Sequence, residues 1–169
     1  MEEFKIEHNI VIFKYKPSLF RPFYINMEPL TFMMRIRFLL DWYYGYYVYY
    51  LCIDNEFIGY CAITSGRNPR YWFAERGDII IGPYFICESC RGKGYSTLMV
   101  DMVINKIQTS WNNAYLYILN TNLASIGVVK HLEGTLLFHV RNTFFRKLIK
   151  CENGEYGVYK ILKKNFKKY

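Results

Sequence analysis

Apolar positions along the chain fall into two periods. "NIVIFKYK" (9–16), "YYVYYLCI" (46–53), "FIGYCAITS" (57–65), "DIIIGPYFIC" (78–87) and "AYLYILN" (114–120) are short runs rich in aromatic and β-branched residues. Such runs read as strands. "PLTFMMRIRFLLDWYY" (29–44) is too long for a strand, has proline near its start and is followed by Gly45, which predicts a helix. A second helix is predicted from about 94 to 108 and a short third over 122–132. Two further strands, 135–150 and 156–163, close the chain around the turn "CENGE". The "DNE" between 46–53 and 57–65 makes that pair a hairpin. Gly82 and Pro83 interrupt the run 78–87, and both are poor strand residues, so a bulge or splay is expected there.

The order is strand, helix, hairpin, strand, helix, strand, helix, strand, strand. An early and a late hairpin around two strand–helix units predict an α/β fold of mixed strand direction, six to seven strands flanked by helices. No repeat or low-complexity linker divides the chain, so 1–169 is expected to be one domain.

Composition changes this picture little. The chain carries 22 basic and 14 acidic side chains, a net charge of +8, which favours anionic partners. Several cations stand in the tail 160–169, which reads as a solvated end. Cys87 and Cys90 form a C-x-x-C, but no second pair or histidine cluster accompanies them, so no metal is expected. Most of the five cysteines are expected to be reduced and buried, as in a cytoplasmic protein. "MEEFKIEHNI" has no basic region and apolar stretch of a secretory signal, and no run is long enough for a membrane span.

Chemistry concentrates in "ESCRGKGYST" (88–97), where two glycines and two cations stand at a strand-to-helix junction. Glycines let successive backbone N–H groups converge on an anion, and the following helix adds its positive end. Arg91 and Lys93 add charge. The P-loop pattern fails, because Lys93 is followed by Gly94 rather than Ser or Thr. The dinucleotide fingerprint fails too, because Thr97 stands at its last glycine.

"RGKGYS" (91–96) resembles the R/Q-x-x-G-x-G/A motif of the GNAT acyltransferase superfamily, and "YLYILNTNLAS" (115–125) resembles that family's next motif, a strand followed by N-x-x-[AS]. The resemblance implies acetyl-CoA as co-substrate and an amine acceptor as partner. It implies that Arg91, Gly92, Lys93, Gly94, Tyr95 and Ser96 hold the pyrophosphate. Phe85 and Ile86 would pair with the pantetheine amides, Asn122 would contact the same arm, and Ser125 matches the small cofactor-site residue beside it, which also reads as helix packing. Serine at 96 departs from the motif's Gly/Ala. A larger departure is Val129, which stands where many members carry the tyrosine that protonates the leaving thiolate; Tyr84, Tyr95 and Tyr117 are then the candidate acids.

For the base, Asp78 opens the fourth strand, on which some members place a glutamate; it also suits a plain strand start. A lysine-like amine of pKa ~10.4 needs about 4–5 kcal/mol to be neutral at pH 7, which a base and close positioning offset. The acceptor site is expected from 18–29 and 67–77, both of which mix arginine with aromatics. The reading is an N-acetyltransferase that acts on a primary amine of a small molecule, an amino sugar or similar, by direct transfer in a ternary complex. A protein or peptide acceptor, an inactive acyl-CoA-binding relative and a basic nucleic-acid-binding module are the alternatives. Nucleic acid is the disfavoured partner, a membrane is not expected, and a homodimer is left open.

Overall fold

The computed structural model describes residues 1–6, 9–27, 32–108, 110–143 and 147–163. Its sheet runs β1 (Glu2–Lys5), β2 (Ile10–Tyr15), β3 (Tyr46–Ile53), β4 (Glu56–Ser65), β5 (Ile79–Ile86), β6 (Asn113–Leu119), β9 (Tyr156–Leu162), β7 (Thr135–Asn142) and β8 (Leu148–Lys150) in spatial order. Every neighbouring pair is antiparallel except β5 and β6, which are parallel.

The expected mixed single sheet is thus present, with nine strands in place of six or seven. Two segments account for the difference. Residues 2–5 add an edge strand, and 135–150 folds as a hairpin rather than one strand. Sixteen residues exceed the usual strand of about 3–10. Thr143 ends the first arm: its N donates to Lys147 O at 2.9 Å, and Lys147 N donates to Thr143 Oγ1 at 3.1 Å.

The early hairpin forms as expected, with Asp54 and Asn55 both at positive φ (51° and 66°), the turn that matches strand twist. The first helix, α1, covers Phe32–Tyr44; the start expected at 29–31 lies outside the described residues. α2 (Tyr95–Met102) widens into a π turn over Val103–Ile107, so its span agrees with the expected 94–108. α3 covers Leu123–His131.

Strand alternation gives the sheet two cores. Tyr49, Leu51, Cys61, Ile63, Ile79, Ile81, Leu116 and Ile118 face α2 and α3, packing on Met99, Val100, Val103, Ile104, Val128 and Val129. Tyr46, Val48, Tyr50, Tyr60 and Ala62 face the other way, against Phe23 from the segment before α1 and Phe38 of α1, and Ile80, Tyr115, Val140 and Val158 form a separate cluster with Tyr71 and Leu148. Buried tyrosines also pin chain segments: Tyr46 Oη donates to Pro22 O at 2.9 Å, and Tyr24 N donates to Tyr50 Oη at 2.9 Å. Among the described residues no helix is long and apolar enough to cross a membrane.

Candidate acetyl-CoA and acceptor groove

The site begins where the sheet comes apart. β5 and β6 pair only at Ile79↔Ala114 and Ile80↔Tyr115. On its other side β5 pairs with β4 at Ile81↔Ile63 and resumes at Tyr84↔Cys61, so Gly82 and Pro83 together oppose the single residue Ala62. That is the expected bulge, with Gly82 at φ 111° and a cis bond to Pro83. Beyond it the facing edges of β5 and β6 separate, and a groove opens between them.

Two cavities occupy this groove. One, of about 400 Å³, is lined by Phe85, Ile86, Cys90, Arg91, Gly92, Gly94, Tyr95 and Ser96 from the end of β5 and the glycine loop, and by Ala124 of α3. The other, of about 570 Å³, lies between β5 and β6 over Ile81, Gly82, Pro83, Leu116 and Tyr117, with Arg37, Arg70, Asn142 and Tyr156 in its wall. Tyr84, Asn122 and Ser125 line both, so the two adjoin. Of the residues expected to hold the cofactor, all but Lys93 line the smaller cavity; Lys93 is an exposed residue of the same loop.

The loop's geometry is set by its glycines. Gly92 and Gly94 both have φ 78°. A side chain there costs about 1–2 kcal/mol of strain. A Cβ at either position would meet nothing within 4 Å, so the space beside them is open to a ligand. Gly94 is the N-cap of α2 and no side chain caps this helix, so the amides of its first turn are left for an anion. Arg91 closes the loop onto β5: its Nε donates to Ile86 O at 3.1 Å, and its guanidinium lies 5.5 Å from the centre of the Phe85 ring. Asn122 caps α3, its Oδ1 accepting from Ser125 N at 3.1 Å. Glycines, cation and uncapped helix thus suit a pyrophosphate.

Tyr84 stands at the junction. Its Oη donates to Ser125 O at 3.4 Å, and burial pushes the phenol up to about 12 despite the downward pull of the Ser125 hydroxyl. Val129 of α3, by contrast, is fully buried and lines neither cavity. At the end of β5, burial acts against the Cys87 thiolate, but hydrogen bonds to Ser89 and Cys90 and the nearby Arg91 charge prevail and lower the thiol's pKa.

Asp78 is not brought to the groove. It is 3% exposed, and its Oδ2 accepts from Glu75 N at 2.9 Å while its Oδ1 accepts from Asn113 N and Asn113 Nδ2, both at 3.0 Å. The carboxylate joins the start of β5 to the start of β6, the turn-forming role that the sequence also allowed.

Of the two acceptor segments expected, 67–77 contributes Arg70 to the larger cavity, whereas Ser18, Leu19, Phe20 and Pro22 line a separate pocket beside α1. The sequence did not single out Arg37. Its signal was an Arg37–Asp41 pair, four residues apart within a helix that is apolar and aromatic apart from these two and Arg35.

The acetyltransferase (GNAT) family model matches residues 14–133. The chain belongs to that family of acetyl-CoA-dependent acetyltransferases. Comparison with curated protein sequences gave no match. Among solved structures, a GNAT family acetyltransferase from Elizabethkingia anophelis with acetyl-CoA bound is similar at TM-score 0.62 and 13% identity, over 93% of this chain and 100% of that one. RimL, a ribosomal L7/L12 alpha-N-protein acetyltransferase, is similar at TM-score 0.59 and 13% identity, over 95% and 98%. A chimera of the spermidine N-acetyltransferase SpeG from Vibrio cholerae and hSSAT reaches TM-score 0.50 at 11% identity, over 69% and 68%. At these identities the likeness is one of fold.

Proposed function

We propose that this protein transfers an acetyl group from acetyl-CoA to a primary amine of a small molecule, with both substrates bound in the groove at once. The observation that carries the reading is that the two cavities adjoin at Tyr84, Asn122 and Ser125, which line both. The glycine loop and the α2 N-terminus take the pyrophosphate, with Arg91 beside them. Phe85 and Ile86 flank the pantetheine arm, and Asn122 and Ser125 face it from α3. The thioester so held supplies the acetyl group. A cavity of about 570 Å³ beyond it suits a small acceptor.

The acceptor nitrogen forms the new C–N bond as the C–S bond breaks, so one proton must leave nitrogen and one must reach sulfur. Tyr84 supplies the second. Its raised pKa keeps it protonated through the neutral range, and it is the phenol at the junction of the two cavities. Among the described residues no carboxylate or imidazole lines the larger cavity. The nitrogen's proton therefore goes to water, and Asp78 holds structure instead of acting as the base.

Calorimetry tests the reading. Acetyl-CoA should bind with a dissociation constant at or below the micromolar range. Gly94→Val should abolish the heat while circular dichroism stays unchanged, because a branched side chain at φ 78° fills the approach to the loop. Normal binding by that variant would make the loop a turn and nothing more.

A further inference from the structure

The C-x-x-C of Cys87 and Cys90 takes no chemical part in acetyl transfer, yet it stands where β5 runs into the glycine loop. Glu88–Cys90 forms a single 3-10 turn, closed by Cys90 N donating to Cys87 O at 3.0 Å. A turn closed in this way holds its first and last Cα within about 7 Å. A disulfide spans about 4.4–6.8 Å between Cα atoms. The side chains also converge. Ser89 Oγ lies 3.6 Å from Cys87 Sγ and 3.8 Å from Cys90 Sγ, and the Cys90 side chain hydrogen-bonds the Cys87 sulfur. Cys87 is anchored to β4, its N donating to Ile58 O at 2.8 Å. Bridging the pair therefore asks for rotation of two side chains rather than movement of the backbone.

The pair also differs from the other cysteines. Cys87 and Cys90 are half-buried free thiols, whereas Cys52 and Cys61 are buried and burial raises their thiols. Cys151 follows β8, at the far edge of the sheet. At Cys87 burial is outweighed by the hydrogen bonds of Ser89 and Cys90 and by the Arg91 charge, which makes it the readier nucleophile. Cys90 lines the smaller cavity and Cys87 does not. To meet Cys87, the Cys90 sulfur turns out of the cavity wall, and a ligand packed against it opposes that turn.

We infer that Cys87 and Cys90 are a dithiol that closes reversibly into a disulfide by exchange with a small-molecule disulfide such as glutathione disulfide, and that acetyl-CoA in the cofactor cavity favours the open dithiol. The exchange balances in two steps. The Cys87 thiol gives its proton to solvent and attacks one sulfur of glutathione disulfide; the S–S bond breaks, and one glutathione thiolate leaves and takes up a proton. Cys90, deprotonated in turn, attacks the Cys87 sulfur of the mixed disulfide and expels the second glutathione. Two protein thiols are oxidised to one disulfide, and one glutathione disulfide is reduced to two glutathiones. The second half of the inference rests on the reading of the groove as the acetyl-CoA site; the first half does not.

The test equilibrates the folded protein in glutathione buffers, quenches with acid, alkylates and digests with trypsin, which leaves both cysteines in peptide 77–91. With millimolar glutathione disulfide that peptide should be two hydrogens lighter and escape alkylation, and dithiothreitol should restore it. Cys90→Ser should stop at a glutathione adduct on Cys87. With saturating acetyl-CoA, the glutathione disulfide needed to bridge half of the molecules at fixed glutathione should rise roughly fivefold or more, the lower end of coupling between two sites. By the same linkage the bridged protein should bind acetyl-CoA more weakly by that factor, read by calorimetry. The proposal is overturned if the unaltered protein keeps two free thiols in 77–91, or a stable glutathione adduct there, at millimolar glutathione disulfide. It is also overturned if the midpoint does not move while calorimetry shows acetyl-CoA bound to the dithiol form. No acetyl-CoA heat from either form would instead sink the reading of the groove, and the bridge measured without ligand would still decide the first half. Should Cys90→Ser fail to fold, the peptide mass of the unaltered protein decides.

Discussion

Tyr84 shows how one side chain acquires a role from its surroundings. A phenol in water has a pKa near 10. Here burial raises it to about 12, so deprotonation is disfavoured and the group remains a proton donor. The sign follows: an acid whose pKa is raised stays active as pH rises towards the raised value. Tyr84→Phe keeps the ring and removes the proton. With saturating acetyl-CoA and an accepted amine, kcat should fall roughly 10²-fold or more, the lower end for a positioned acid. Acetyl-CoA affinity should change by less than about threefold, because one modest hydrogen bond to Ser125 is lost. In the unaltered enzyme no alkaline limb from this group should appear below about pH 11. An unchanged kcat in Tyr84→Phe would leave solvent to protonate the thiolate. The residue was legible as a candidate from its strand position alone. Its place at the junction was not, because that depends on the bulge beside it.

The element that positions the site is β5, and its two ends do different work. At its start, Asp78 ties β5 to β6 with two hydrogen bonds accepted from Asn113 and holds the preceding loop with a third from Glu75 N; past Ile80 the pairing stops and the groove opens. Asp78→Asn keeps shape but replaces one accepting oxygen with a donor, which must then face a donor from Glu75 or Asn113. Stability should fall by about 1–3 kcal/mol, the cost of an unsatisfied buried group. The pH–rate profile of the folded variant should be superimposable on that of the parent. A shifted acidic limb with unchanged denaturation midpoint would restore Asp78 as the base. Local chemistry explains what was readable here. Gly82 and Pro83 announce a bulge wherever they occur in a strand, and "RGKGYS" and Asn122 announce an anion loop and a helix cap. Side-chain partners distant in sequence are another matter. Asp78 finds Asn113, and Arg37 finds Tyr71 and Tyr117, only once the sheet has formed. The 135–150 hairpin was missed for a related reason: its residues have uniform strand propensity, and its turn is marked by little beyond Asn142 and Thr143.

At the scale of the molecule, the groove is held by parts that pack on opposite faces of one sheet. α2 and α3 cover one face and deliver the loop and Asn122; α1 and the 66–78 loop lie on the other and deliver Arg37 and Arg70. A ligand that spans the loop, the end of β5 and the cap of α3 therefore ties together elements whose mutual contact is otherwise interrupted by the splay. Such a ligand binds the folded chain and not the unfolded one. At a concentration 100-fold above its dissociation constant it stabilises by about 2.7 kcal/mol. For a domain of this size each kcal/mol raises Tm by roughly 2–4 °C. Acetyl-CoA should thus raise Tm by about 5–10 °C in differential scanning fluorimetry. The variants divide the effect by site. Gly94→Val should lose the shift, since it blocks the loop, whereas Arg70→Gln should retain it, since Arg70 lines the larger cavity and not the one at the glycine loop. A shift below about 1 °C at millimolar acetyl-CoA in the unaltered protein would mean that the groove does not bind across these elements, and a shift lost equally in both variants would mean that the two ends are not separable sites.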